Sequence, residues 1–307
     1  MDLAIIILNY NTCDDLRNCL RTLRDARKGL DVQVVVVDNQ SSDGSVEMVR
    51  NEHAWIDRLI VSERNGGYAY GNNNGFRYLG FESGIPAEVL PRYTLLLNPD
   101  TLVPANALRD MVAFMDGNPD VGVAGPKLIR ADGSLDRACR RSFPSVAVSF
   151  YHLSGLGKLF PKSERFARYN LTYLDENEQA DIDAVVGAFM LMRSEALAQA
   201  GLLDETFFMY GEDLDLCYRI KERGWRVVYN PAVTVTHLKG QASRKASRKA
   251  IVAFYQAMKI FHDKHYRQET FFLVNGLIDG GIWLMCRWAL LADSLRSSGR
   301  KHVASAS

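Results

Sequence analysis

The chain has 307 residues, 47% of them hydrophobic and 24% charged, enough for one large core with an appended piece. Its formal net charge of +1 excludes both the overall basic field that nucleic-acid binding needs and the charge excess of a disordered chain. Five scattered cysteines with no CxxC pair read as reduced thiols of a cytoplasmic protein. The opening "MDLAIIILNY" starts its apolar run without a basic segment, the pattern of a first strand rather than a signal peptide.

In chain order, "LAIIIL" (3–8) is a short apolar run bounded by polar residues, hence a buried strand. Thr12 and Asp15 are spaced as a capping box, and Leu16, Leu20 and Leu23 then recur at helical spacing. "VQVVVVD" (32–38) is a second strand, with a helix from about Ser45, and "RLIVSE" (58–63) a third. The stretch "NGGYAYGNNNG" (65–75) leads into a helix near 72–82. "YTLLLNPD" (93–100) is a fourth strand, followed by a helix from about Pro104, and "VGVAGPKL" (121–128) a fifth. Residues 138–182 have weak periodicity and read as an excursion over the sheet. "VVGAFMLMRSEAL" (185–197) returns as a strand running into a helix. "EDLDLCYRIKERGW" (212–225) is a helix closed by Gly224, "RVVYNP" (226–231) is the last strand, and the chain is helical beyond 250. This alternation predicts a mostly parallel α/β sheet with helices on both faces.

Ligands of open α/β sheets bind outside the carboxyl ends of the strands. Four such ends carry Asn9-Tyr10-Asn11, "DNQSSDGS" beginning at Asp38, the glycine–asparagine stretch, and Asn98-Pro99-Asp100. Polar ends in register on one edge predict one site. Glycines in 65–75 would let backbone N–H groups approach a phosphate or a sugar ring. The stretch matches neither GxGxxG nor GxxxxGK[ST], so a dinucleotide or P-loop reading lacks its fingerprint. On the helix that starts near 212, Asp213 falls within about 60° of Leu216, Cys217 and Ile220 and so faces the sheet. Asp215 faces outward, and Glu212 lies roughly 100° round from Asp213. An inward carboxylate at a helix start serves either the helix dipole or general-base chemistry in a cleft. His237, ending "AVTVTH" just past the last strand, is either a structural or exposed imidazole or one that could share Mg²⁺ or Mn²⁺ with Asp100 at a neighbouring strand end.

Together the segments "IIILNYN", "VVVVDNQSSDGS", "NGGYAYGNNNG", "LLLNPDT", "GAFMLMRSEAL" with "GLLDETFFMYGEDLDLCYRIKERGW", and "VTHLKGQAS" resemble the inverting family-2 glycosyltransferases of GT-A fold. More narrowly they resemble the rhamnosyltransferase-like branch. The resemblance implies a catalytic domain over 1–250 and a helical extension over 251–307. It puts Asn9, Tyr10, Asn11 and Asp38 in a nucleoside pocket, with Asp38 accepting from base or ribose. Asn65, Gly67, Tyr68, Asn72 and Asn73 would line the nucleotide-sugar. Asn98 and Asp100 take the place of the family's DxD, Asp100 holding the divalent cation that His237 completes. Asp213 matches the catalytic base, and Glu212, Arg140 and Arg141 fall on the acceptor or phosphate side. Asn98 departs from the first DxD carboxylate, and Tyr68 and Tyr70 replace a phenylalanine and a glycine. The implied reaction transfers L-rhamnose from dTDP-rhamnose to a hydroxyl of a saccharide or lipid-linked saccharide, in cell-surface polysaccharide synthesis. Three alternatives stand beside it: a UDP-hexose donor, a nucleotidyltransferase, and an inactive carbohydrate-binding protein. A nucleotidyltransferase would show a glycine-rich, basic loop after the first strand, where "NYNTCDD" is acidic.

The segment "TFFLVNGLIDGGIWLMCRWALLA" (270–292) is apolar but interrupted by Asp279, Gly280, Gly281 and Arg287, too broken for a span of about 20 apolar residues. Arg244, Lys245, Arg248, Lys249, Lys264, Arg267, Arg296, Arg300 and Lys301 flank it. The mix reads either as helices lying on the inner face of the plasma membrane or as a packing or homodimer contact.

Overall fold

A computed structural model describes residues 1–84, 89–238 and 247–295; the part of "VTHLKGQAS" after Leu238, with Arg244, Lys245, Arg296, Arg300 and Lys301, lies outside the described residues. The first half alternates β1 (Leu3–Asn9), α1 (Cys13–Ala26), β2 (Val32–Asp38), α2 (Ser45–Glu52), β3 (Arg58–Val61), α3 (Gly67–Tyr78) and β4 (Tyr93–Leu97). Then come β5 (Thr101–Leu102), α4 (Ala107–Gly117), β6 (Val121–Ile129), α5 (Val146–Leu153) and α6 (Leu156–Leu159). The chain continues through β7 (Ala180–Asp181), β8 (Phe189–Arg193), α7 (Ser194–Ala200), α8 (Glu212–Glu222) and β9 (Arg226–His237). Two longer helices follow, α9 (Ser247–His265) and α10 (Phe272–Leu295).

One nine-stranded sheet runs β3-β2-β1-β4-β8-β6-β9-β5, with β7 on β9. Leu3–Ile7 and Val34–Val37 are wholly buried, as expected where helices cover both faces and no polar alternation is needed. Strands β1 to β4 are parallel and end level, with Asn9 opposite Asp38, Asp38 opposite Val61, and Ile7 opposite Leu97. β8 is different: it runs antiparallel between β4 and β6. The 138–182 excursion returns the chain to the sheet at the carboxyl edge, so the next strand can only run back down. Phe189 therefore pairs with Leu97, which sets Gly187 at the edge where the other strands end.

The glycine–asparagine stretch does not lead into a helix; most of it is the helix. α3 starts at Gly67, and Gly71 and Gly75 face β1 one turn apart. A Cβ on Gly75 would stand 2.7 Å from Ile6 Cγ2, and one on Gly71 would strike Leu8 Cδ1. What the backbone comes close to at these two glycines is the chain's own sheet. Gly67 is a sharper case. Its φ is +92°, and a Cβ there would overlap the Phe208 carbonyl oxygen, which is held by the Tyr68 N–H at 2.7 Å. Gly67→Ala is expected to cost about 3 kcal/mol, from left-handed strain plus overpacking against fixed backbone. A urea-unfolding midpoint equal to that of the unaltered chain would show this close approach to be unimportant.

Asp215 does not face solvent. α9 covers that side of α8, and the Asp215 side chain is fully buried, pairing with Arg219, Lys264 and His265, each at 2.8 Å. Burial pushes its carboxyl up, but His265, Arg219 and Lys264 outweigh it and hold the group down at about 2. A depressed folded-state value means that its contribution to stability is present above the unfolded value near 4 and is lost as pH falls toward 2. Asp215→Asn should destabilise by about 3–5 kcal/mol, as for one partner removed from a buried pair. It should also flatten the acid limb of thermal stability; an unchanged limb contradicts the assignment.

Candidate active site

At the nucleoside end, β1 and β2 bring Asn9 and Asp38 together, both buried. Asn9 Nδ2 donates to Asp38 Oδ2 at 2.9 Å and to Ser41 Oγ at 3.0 Å, and Ser41 N donates to Asp38 Oδ1 at 2.7 Å. Each Asp38 oxygen thus already holds an internal donor; its first task is shaping the turn, and a base or ribose would add to that bonding. Thr12 does not cap α1: its hydroxyl donates to Asn9 Oδ1 at 2.7 Å, and Asp43 instead accepts from Cys13 N at 2.9 Å. Tyr10 is exposed beside this turn, and Asn11 adopts a left-handed φ of 54° with Oδ1 accepting from Ser42 N.

Next along the edge, Asn65 Oδ1 accepts from Asn39 Nδ2 at 3.0 Å and from Gly67 N at 3.1 Å. Tyr68 reaches across the sheet, its hydroxyl donating to Gly187 O at 2.9 Å and lying 3.4 Å from Asn98 Oδ1. Burial, then Glu212, Asp213 and Asp100, push that phenol well above its usual value, so it remains a donor. Asn72 and Asn73 are buried and spend their side chains on the protein itself. Asn72 Nδ2 donates to Tyr68 O within α3, while Asn73 exchanges hydrogen bonds with the Leu203 backbone and reaches Glu205.

Asp100 and His237 do meet. Asp100 Oδ1 lies 3.2 Å from His237 Nε2, with Leu238 N bonded to Asp100 O to tie the two strand ends. Sequence reasoning missed Asp136, whose Oδ2 lies 2.9 Å from His237 Nδ1 across 101 residues of chain. No spacing signal links them; the contact exists because β6 and β9 are parallel neighbours. Burial lowers the imidazole's proton affinity, but Asp100 and Asp136 outweigh it and raise it to about 9. The donor set fits a divalent cation: a carboxylate at Nε2, and a second carboxylate holding Nδ1 so that Nε2 points at the first. Two ligands do not close a site, and among the described residues no cluster of three or more His, Cys, Asp or Glu side chains could hold a metal. A bound diphosphate would have to supply the rest.

At α8, Tyr210 and Gly211 both have positive φ (71° and 84°), turning the chain sharply so that Glu212 and Asp213 open the helix from inside the fold. Both are buried. Asp213 Oδ2 accepts from Arg141 Nη2 at 2.7 Å and Gly187 N at 3.2 Å; its Oδ1 accepts from Leu214 N at 2.8 Å. Glu212 Oε2 is buried and has no hydrogen-bond partner among the described residues. Burial first, then neighbouring Asp213, pushes the Glu212 carboxyl up to about 8. The two arginines do not form an open basic patch. Arg140 donates to the Asp175 and Leu174 carbonyls and stacks 5.2 Å from the Tyr229 ring centroid, while Arg141 neutralises Asp213. Gly187 joins the two halves, its N–H on Asp213 and its carbonyl on Tyr68, which in turn meets Asn98. A chain of hydrogen bonds through Gly187 and Tyr68 thus links the Asp213 carboxyl at the start of α8 to Asn98.

The chain is 27% identical over 306 residues to an N-acetylglucosaminyl-diphospho-decaprenol L-rhamnosyltransferase of Mycobacterium tuberculosis, covering 98% of this chain and 96% of that protein. It is 26% identical over 252 residues to the rhamnosyltransferase WbbL of Escherichia coli, 80% of this chain and 87% of that one. Among solved structures, the mannosyltransferase PcManGT from Pyrobaculum calidifontis, in complex with GDP-Man and Mn²⁺, superposes with a TM-score of 0.57 at 17% identity, covering 97% of this chain and 76% of that one. That likeness gives the GT-A fold. The family description "Glycosyltransferase like family 2" matches residues 2–253, and the chain belongs to that family.

Proposed function

We propose that this glycosyltransferase transfers L-rhamnose, with inversion, from dTDP-rhamnose to a hydroxyl of a lipid-linked saccharide in cell-surface polysaccharide synthesis. The observation that carries the reading is the Gly187 bridge, whose N–H meets Asp213 and whose carbonyl meets the Tyr68 hydroxyl beside Asn98, linking α8 to a strand tip. The two rhamnosyltransferase relatives support the sugar, and the first relative's diphospho-decaprenol acceptor supports the lipid link. Asp100 and His237, with Asp136 behind, would hold Mg²⁺ or Mn²⁺, as Mn²⁺ accompanies GDP-Man in the Pyrobaculum enzyme. Such a cation supplies charge neutralisation to a departing nucleoside diphosphate. The chain's own residues do the rest. The Tyr68 hydroxyl fixes the distance between the two halves, and a carboxylate of the Glu212–Asp213 pair accepts the proton of the attacking hydroxyl. A thermal-shift screen of nucleotide-sugars with and without Mn²⁺ tests the donor. The largest stabilisation should come from dTDP-rhamnose; a larger one from a UDP-hexose replaces the sugar assignment.

A lipid-linked acceptor calls for a membrane seat, and α10 has the surface for one. Leu273, Leu277, Leu284, Trp288, Leu291 and Leu295 are all exposed. At 100° per residue they fall within about 60° of one another, a continuous stripe along the helix. Exposed Arg248, Lys249 and Arg287 supply cations for anionic headgroups. No helix of the described residues is long and apolar enough to cross a membrane, so the stripe would lie in the interface. The chain should float with phosphatidylglycerol vesicles, and replacing Leu277, Leu284 and Trp288 with serine should leave it in the pellet. Flotation of the triple variant, or a dimer-to-monomer change with no vesicle effect, would reassign the stripe to a protein contact.

A further inference from the structure

Helix α1 leaves the carboxyl end of β1 and returns to the start of β2, so its last turn lies at the edge where the strands begin. There a cleft of about 580 Å³ is lined by Arg21, Arg24, Asp25, Lys28, Glu52 and His53. A volume of that order suits a small molecule. Arg24 lies about 16 Å along the helix from Cys13, whose N–H meets Asp43 near the nucleoside end, so the cleft is separate from the candidate active site. Both of its carboxylates are already engaged. Glu52 accepts from Arg17 at 2.8 and 3.2 Å, and Asp25 accepts from Lys28 at 2.7 Å. Arg21 and Arg24 are exposed and make no side-chain hydrogen bond or ion pair among the described residues, so beyond those pairs two guanidinium charges line the cleft.

Exposed arginines alone are a solvated stripe; His53 makes this one a site. It is only 6% exposed, and its Nε2 is a buried atom with no hydrogen-bond partner among the described residues. Nδ1 is taken: Trp55 Nε1 lies 3.3 Å away and, as an indole nitrogen, can only donate. Nδ1 is therefore the acceptor, and the hydrogen of the neutral ring sits on Nε2. Burial lowers the proton affinity of the imidazole, and Arg17, Arg21 and Arg24 add to that against the pull of Glu52, so the ring is neutral near pH 7. Trp55 is itself held by Arg27, which stacks 5.2 Å from its ring centroid and donates to its carbonyl at 3.3 Å. His53 is thus a fixed neutral donor with nothing to donate to, which a native fold seldom keeps. We propose that this cleft binds a phosphate group, carried by a small molecule or a lipid head, with the Arg21 and Arg24 guanidiniums on its charged oxygens and the His53 Nε2–H on another. The three donors come from the ends of two helices. A tetrahedral phosphate offers oxygens in several directions, whereas a planar carboxylate offers two in one plane, and guanidinium forks match phosphate geometry. The arginine arms are exposed and can turn onto an anion seated against the imidazole.

The test follows the Trp55 indole N–H signal in the NMR spectrum of the full chain, because that group bonds the imidazole directly. Inorganic phosphate at constant ionic strength should move the signal saturably, and sodium chloride should not. In the double variant Arg21→Gln, Arg24→Gln the affinity should fall about tenfold or more. In His53→Phe, which keeps a ring without the N–H, the saturable shift should be lost. The double variant alters exposed side chains alone and decides the matter should His53→Phe fail to fold; thermal unfolding checks both. A parallel titration uses the soluble short-chain lipid dihexanoyl phosphatidylglycerol. Tighter saturation by the lipid assigns a headgroup, and equal or tighter saturation by phosphate assigns a free phosphorylated ligand. No saturable shift with either probe, or one that the arginine substitutions leave unchanged, overturns the site. None of its residues lies at the candidate active site, so this outcome is independent of the glycosyl-transfer reading.

Discussion

Arg141→Ala is expected to be among the most damaging single substitutions in the molecule. Arg141 is buried, and its guanidinium bonds both Asp213 Oδ2 at 2.7 Å and the Val185 carbonyl at 2.8 Å. Removing it leaves a carboxylate in the interior with its counter-ion gone, a loss of about 3–5 kcal/mol. The functional consequence has a definite sign. Arg141 fixes the Asp213 carboxylate in place and lowers the proton affinity of neighbouring Glu212, so its removal should cut turnover as well as stability. Activity then falls for two reasons, a lower folded population and a carboxylate no longer held in place. Arg141→Lys restores the charge but not the fork that serves both acceptors, so it should recover stability only in part. Thermal unfolding together with turnover per folded molecule reads both effects. Unchanged melting and unchanged turnover would show that the ion pair is incidental.

Asp100→Ala should be the second large loss, on the donor side. Asp100 is the one carboxylate at the DxD position, since Asn98 supplies only an amide whose Oδ1 lies near the Tyr68 hydroxyl. Its partner His237 keeps Asp136 on the other nitrogen, so the variant retains an oriented imidazole without the carboxylate opposite. Several kcal/mol of charge stabilisation would go with the cation, on the order of 10²–10³-fold in turnover. Calorimetric titration of dTDP should show Mn²⁺-enhanced affinity in the unaltered protein and none in Asp100→Ala. Equal enhancement in both would remove Asp100 from the metal site. Asp136→Asn should fall between them, because it loosens the imidazole without deleting a ligand.

The fold was largely legible because its signals are local. The β-branched runs of β1 and β2, the i, i+4, i+7 leucines of α1 and the level polar strand ends all follow from short-range pattern. What failed was non-local. Asp215 read as solvent-facing because helical periodicity cannot know that α9, fifty residues on, will cover that side. The glycines at 71 and 75 read as a ligand loop because sequence does not say whether a close backbone approach is to a ligand or to Ile6 and Leu8. Asp136 was invisible for the same reason, being paired with His237 only through the neighbouring strands β6 and β9. Arg140 and Arg141, adjacent and alike in sequence, diverge because alternating residues of extended chain point to opposite sides: one braces carbonyls, the other meets a carboxylate.

The most direct measurement is the anomeric configuration of the product. Purified protein with Mn²⁺, dTDP-rhamnose and a polyprenyl-diphosphate N-acetylglucosamine acceptor should yield a rhamnosylated lipid. The NMR coupling of its new glycosidic carbon should show the configuration opposite to the donor's, as a single displacement assisted by one carboxylate of α8 requires. Retained configuration, or no transfer from any nucleotide-sugar offered, would contradict it.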